Sequence, residues 1–246
     1  MGVALAFSWL TVLPVRGPAE IDRVAGRRAI AAAPLTGLVL GAAVFAVLWG
    51  LTSLGMAAAL AGLLAVAVLA LATRGMHIDG LADTVDGLGC YGPPERALAV
   101  MRDGGAGPFG VAALVVSIGA QALAFGTLAE QSRWLAVILA IALGRVAIVL
   151  ACRRGTAAAT ETGFGALVVG TQPLATPLLW AAILAAAAVW AVPGQPWLGP
   201  VVVLAVLVAT VLLTRHCARR FGGLSGDVLG AVIEISVVLS AAALTL

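Results

Sequence analysis

The sequence contains no lysine; all 14 of its basic residues are arginines. Charge of either sign is scarce, at 10% of the 246 residues, where a soluble domain carries about 25%. Together with 62% hydrophobic residues and a mean hydropathy of +1.13, that scarcity excludes a chain whose whole surface faces water. Lipid must solvate most of it. Cysteine is rare as well: Cys90, Cys152 and Cys217 are scattered, and none has metal-ligand spacing to another Cys or His. An odd, dispersed set of this kind excludes a disulfide framework, and the three read as small packing residues. No cleavable signal is evident, because the first apolar stretch is broken by Pro14 and followed by Arg16.

What is abundant is continuous Ala/Leu/Val-rich sequence. β-Barrels show alternating segments of about ten residues instead, so the expected fold is an all-α polytopic membrane helix bundle, one integral membrane domain over residues 1–246. Apolar length and flanking charge mark about seven spans, near Ala29–Leu51, Met56–Thr73, Phe109–Ala129, Trp134–Ala151, Ala175–Val192, Leu198–Thr214 and Val228–Leu246. Met1–Pro18 is short and interrupted, and reads as an interfacial or re-entrant element. With the N-terminus inside, the outer loops hold only Arg133, Arg145 falls within a span, and every other arginine is inside. A pI near 9.2 is thereby assigned to membrane orientation rather than to nucleic acid. The segment 75–108 is expected as a cytoplasmic acidic loop carrying the catalytic groups.

The chain has 11 acidic residues, and Asp79, Asp83, Asp86, Glu95 and Asp103 crowd into one short stretch. In HIDGLADTVDGLG (His77 to Gly89), Asp79, Asp83 and Asp86 stand at i, i+4 and i+7, one face of a helix. Like charges so placed repel, and the glycines weaken the helix. A cation placed among them relieves the first cost. Hard oxygen ligands without cysteine point to Mg²⁺ or Mn²⁺, held by a few carboxylates together with substrate phosphates. Gly80, Gly87 and Gly89 would let backbone approach a bulky ligand. The competing reading is a solvated loop with helix caps. His77 is either a general acid–base or a hydrogen-bonded structural residue.

Two further islands accompany this one. In MRDGGAGPFG (Met101 to Gly110), Asp103 precedes a glycine-rich turn that either faces an anion or ends a helix. In RHCARRFGGLSGDVLGA (Arg215 to Ala231), Asp227 is either the N-cap of the last span or a fourth metal ligand beside Asp79, Asp83 and Asp86. Arg102, Asp103, Arg219, Arg220 and the Gly222–Gly223 pair are assigned to substrate binding, the arginines through phosphate oxygens. Arg145, in ALGRVAIVL, faces the bundle interior or snorkels to the span end.

These segments, in this order, resemble the cobalamin synthase (adenosylcobinamide-GDP ribazoletransferase) family. The opening FSWLTVLPV and the run APLTGLVLG fit the same pattern. Two places depart from it: Asp103 is followed by Gly104 and Gly105 where the family usually has a serine, and RRGTAAATETGFG (Arg153 to Gly165) is diverged. The resemblance implies a Mg²⁺-dependent enzyme of the bacterial or archaeal cytoplasmic membrane, with its site on the cytoplasmic side. It implies transfer of cobinamide-phosphate from adenosylcobinamide-GDP to α-ribazole or α-ribazole 5′-phosphate, releasing GMP. The metal would offset charge on the phosphates, and Asp83, Asp86 or His77 would take the acceptor's proton. A CDP-alcohol phosphotransferase fits less well, because Asp83 stands where that family's motif has an arginine. A transporter would carry its ionisable residues at mid-membrane.

Overall fold

The computed structural model describes residues 1–18 and 20–246. Among these residues there are eleven helices: α1 Gly2–Leu10, α2 Arg23–Ser53, α3 Ala58–Ala72, α4 Met76–Gly89, α5 Pro94–Arg102, α6 Pro108–Glu130, α7 Trp134–Ala151, α8 Gly163–Val168, α9 Ala175–Ala188, α10 Leu198–Phe221 and α11 Gly226–Ala243. The only extended pairings among the described residues are two isolated bridges, Arg153 with Gln172 and Ala158 with Leu224. The fold is all-α, as the continuous apolar runs require.

Each of the seven expected spans falls on a helix. Five of these helices (α2, α6, α7, α10 and α11) are long and apolar enough to cross a membrane, and α3 with α4 makes a sixth only as a pair bent by 93°. α9 is apolar but short. The chain is a multi-pass membrane protein in which five or six helices are long enough to cross, and the expected span on α9 falls on a helix of 14 residues. Within the segment expected as an acidic cytoplasmic loop, the aspartate run forms α4 and Pro94–Arg102 forms α5, joined by a short link.

α7 is the centre of the bundle, with nearly every residue from Ala136 to Ala151 buried among α2, α9, α10 and α11. Small residues set these distances. A methyl group at Gly37 or Gly41 of α2 would lie 2.8 or 2.9 Å from the α7 backbone, so the two helices touch along their main chains. α2 starts cleanly because Asp22 accepts from the Ala25 N–H at 2.7 Å.

The α3–α4 corner positions the site. Arg74 and Gly75 both take left-handed backbone angles, with φ of 57° and 68°, and this ends α3 and turns the chain. α1 clamps the corner: Val12 N–H donates to Ala72 O at 2.8 Å, and the Arg74 guanidinium donates to Thr11 O at 3.0 Å. The N-terminal helix is therefore a brace. At nine residues it spans about 14 Å, too short to cross.

Candidate active site

α4 packs against α11 through two glycines. A methyl at Gly80 would sit 2.7 Å from Asp227 O, and one at Gly230 would sit 3.2 Å from Met76 O. This close approach brings Asp227 of α11 beside the acidic face of α4. Gly87 and Gly89 serve packing too, with Met101 Cγ and the Phe109 ring in the space their side chains would fill, 2.7 and 2.6 Å away. These glycines make room for neighbouring helices, not for a ligand as expected.

The four aspartates divide into two kinds. Asp86 is only 7% exposed and accepts from the Gly107 N–H at 2.7 Å and the Gly110 N–H at 2.9 Å. Gly107 precedes the first turn of α6. Asp86 thus closes the N-terminus of a helix more than twenty positions away, where a carboxylate is favoured by the free N–H groups and the helix dipole. The glycines of MRDGGAGPFG are required here, because a methyl at Gly107 would meet Asp86 Oδ1 at 2.6 Å. Asp86→Ala is expected to lower the unfolding free energy by about 3 kcal/mol, given two charge-assisted bonds of roughly 1.5–3 kcal/mol each. Thermal unfolding in nanodiscs measures it; an unchanged midpoint would show that the cap contributes nothing.

Asp79, Asp83 and Asp227 form the other group. Asp79 is exposed and the other two are half-buried. Partial burial, then the neighbouring charges of Asp79, Asp227 and Asp86, push the Asp83 carboxyl up to about 6. Every charge acting on it is negative. Asp227 is not the cap of α11: Ser225 Oγ accepts from the Val228 N–H at 3.3 Å and donates to Asp227 Oδ2 at 3.2 Å. Among the described residues no three His, Cys, Asp or Glu side chains converge as a ready-made metal cage. A Mg²⁺ site usually draws on one or two carboxylates plus substrate phosphates, so crowded carboxylates, with no positive charge acting on Asp83, fit that ion without a cage.

Two cavities meet at Asp227. One, of about 280 Å³, is lined by Trp9, His77, Asp79, Phe164, Asp227 and Gly230. Trp9 and Phe164 stand edge to face there, with ring centroids 5.2 Å apart. His77 is 3% exposed, and its Nδ1 lies 3.5 Å from the Arg145 guanidinium. A guanidinium only donates, so Nδ1 accepts and the imidazole proton sits on Nε2. Nε2 is buried without a partner. The second cavity, of about 400 Å³, holds Arg102, Thr160, Thr162, Phe164, Ser225 and Asp227, and Arg102 is a positive charge acting on Asp227.

Other expected site residues lie elsewhere. Asp103 is exposed at the C-cap of α5, followed by Gly104 in a left-handed turn with φ of 72°, which ends the helix. Arg219, Gly222 and Gly223 line a separate cavity of about 540 Å³ with Arg153, Arg154 and Arg215. Arg220 turns away to donate to Cys90 O at 2.5 Å. Sequence reasoning missed Glu234, 5% exposed in α11, which accepts from Gln121 Nε2 at 2.6 Å and interacts electrostatically with Arg145. It stands seven residues after Asp227 in an apolar span, and an acid in that position was signal enough.

Fold and site together define a multi-pass membrane protein with an acidic, partly buried site built by α4 and α11. The chain belongs to the cobalamin-5-phosphate synthase family, which it matches over residues 2–245. A Nocardioides protein named adenosylcobinamide-GDP ribazoletransferase is 41% identical over 232 residues, covering 94% of this chain and 93% of the relative. Proteins of the same name from Corynebacterium efficiens, 38% identical over 98% of this chain and 89% of their own, and from Roseiflexus, 39% identical over 100% and 89%, are similar throughout. No solved structure matches the chain.

Proposed function

We propose that this chain is an adenosylcobinamide-GDP ribazoletransferase, joining cobinamide-phosphate to α-ribazole or α-ribazole 5′-phosphate and releasing GMP. The observation that carries the reading is the convergence of Asp79, Asp83 and Asp227 from α4 and α11 beside Arg102. The acceptor hydroxyl forms a bond to the cobinamide-linked phosphorus while the phosphoanhydride bond to GMP breaks. Asp83, with its carboxyl near 6, takes the hydroxyl proton, since a base works best when its pKa lies near the working pH. Arg102 pairs with a phosphate oxygen. Asp79 and Asp227 would hold Mg²⁺, which when bound would offset phosphate charge. The positive-inside rule puts this face in the cytoplasm and the N-terminus with it, since Arg74, Arg102, Arg153 and Arg215 accompany it.

The cavity beside Asp79 and Asp227 suits the acceptor. At about 280 Å³ it is smaller than the roughly 300–1,000 Å³ of a typical ligand pocket, so it takes one flat ring system and not a corrin. Trp9 and Phe164 supply aromatic surface, and His77 lines the wall beside them. Trp9→Ala is expected to raise the acceptor's KM roughly tenfold, from the loss of about 1–3 kcal/mol of stacking, and to leave the KM of the GDP donor unchanged. Equal effects on both would move the acceptor elsewhere. The reading as a whole is tested with purified protein, adenosylcobinamide-GDP, α-ribazole and Mg²⁺. Acceptor-dependent GMP release supports it, and release of CMP from a CDP-alcohol instead would replace it.

A further inference from the structure

The cavity of about 540 Å³ at the ends of α7 and α10 is lined by four arginines, Arg153, Arg154, Arg215 and Arg219, and by no acid. Burial and the nearby Arg215 guanidinium hold Arg153 below its usual value, so like charges crowd there without a counter-charge. The cavity shares no lining residue with the one that holds Arg102. Between them runs a backbone pairing, Leu224 N–H to Ala157 O at 2.9 Å and Ala159 N–H to Leu224 O at 3.0 Å. No aromatic residue lines it, so it offers a nucleobase no ring to stack on.

Arg215 also closes the end of a second cavity, about 400 Å³, whose other walls are apolar and include Leu150, Pro177, Leu204 and Val208. That groove lies between α7, α9 and α10, where Leu204 and Leu212 are 64% and 61% exposed on the bundle's flank. A basic pocket joined through one arginine to an apolar groove has the shape and charge of an amphiphile with an anionic head. We infer that it binds an anionic phospholipid, with the phosphate among Arg153, Arg154 and Arg215 and an acyl chain along α9 and α10. The inference stands apart from the proposed reaction, which uses none of these three arginines.

The test is native mass spectrometry of the intact protein released from nanodiscs of phosphatidylcholine with one part in five phosphatidylglycerol. The wild type is expected to retain phosphatidylglycerol in preference to phosphatidylcholine. The double variant Arg153→Gln/Arg215→Gln should lower its occupancy at least about tenfold, two phosphate contacts being lost. Arg153→Lys/Arg215→Lys keeps the charge and should retain most of it. Val208→Trp, which leaves every arginine in place but fills the groove, should also lower it. Three results overturn the inference: equal retention of both lipids, unchanged retention in the Gln and Trp variants, or displacement of the lipid by millimolar GMP or inorganic phosphate. The last would make the cavity a site for soluble anions.

Discussion

Asp83→Asn is expected to slow acceptor-dependent GMP release by roughly a hundred- to ten-thousand-fold, the usual range for removing a positioned base, while the protein stays folded. Asn keeps the size and loses the proton-accepting oxygen. The wild-type rate should fall at low pH as Asp83 takes up a proton, and the variant's residual rate should lack that limb. The sign for stability is opposite. Folded Asp83 holds its proton to higher pH than the unfolded chain, so its contribution is fully present below the ordinary carboxyl range and is lost as pH rises through about 6. Mg²⁺ should counter that loss, raising the thermal midpoint more at pH 7.5 than at pH 5, and the difference should shrink in Asp83→Asn. Near-normal turnover of Asp83→Asn, or a Mg²⁺ effect indifferent to pH, would sink the assignment of base and metal site.

Glu234→Leu should cost about 1–3 kcal/mol of stability, as expected when a buried hydrogen-bond partner is removed and its neighbour is left unsatisfied. Arg145 is 1% exposed and would keep its charge without the carboxylate that balances it, and Gln121 would lose its 2.6 Å acceptor. The double variant Arg145→Met/Glu234→Leu should regain most of that stability, because well-packed apolar replacements of a buried pair are often neutral or better. It should also free the His77 imidazole from its 3.5 Å neighbour and so raise the acceptor's KM. Unfolding in nanodiscs of the two single variants and the double tests the coupling: purely additive losses would mean that the two side chains do not act as a unit.

How much of this was legible beforehand differs from residue to residue. The apolar runs lie on helices because a membrane leaves the backbone few alternatives. The i, i+4, i+7 pattern correctly put Asp79, Asp83 and Asp86 on one helix, but it could not tell that Asp86 is taken up by α6, since that bond crosses 21 positions. The α3–α4 corner depends on Arg74, a non-glycine residue in a left-handed conformation, which no periodicity announces. Asp227 looked like a cap, but the serine two residues earlier does that work. Arg219 and Arg220 adjoin in the sequence, yet neighbours on a helix point about 100° apart, and α10 sends one to the basic cavity and the other to Cys90.

α2 has 31 residues, while α3 has 15 and α9 has 14. At 1.5 Å per residue these are about 46, 22 and 21 Å, set against a hydrocarbon core of about 30 Å. The bundle therefore presents an uneven hydrophobic height around its perimeter, with α3 and α9 shorter than the core is thick and α2 long enough to tilt or project. α3 ends at the corner that sets the direction of α4, so the depth at which the aspartates sit follows this shorter helix.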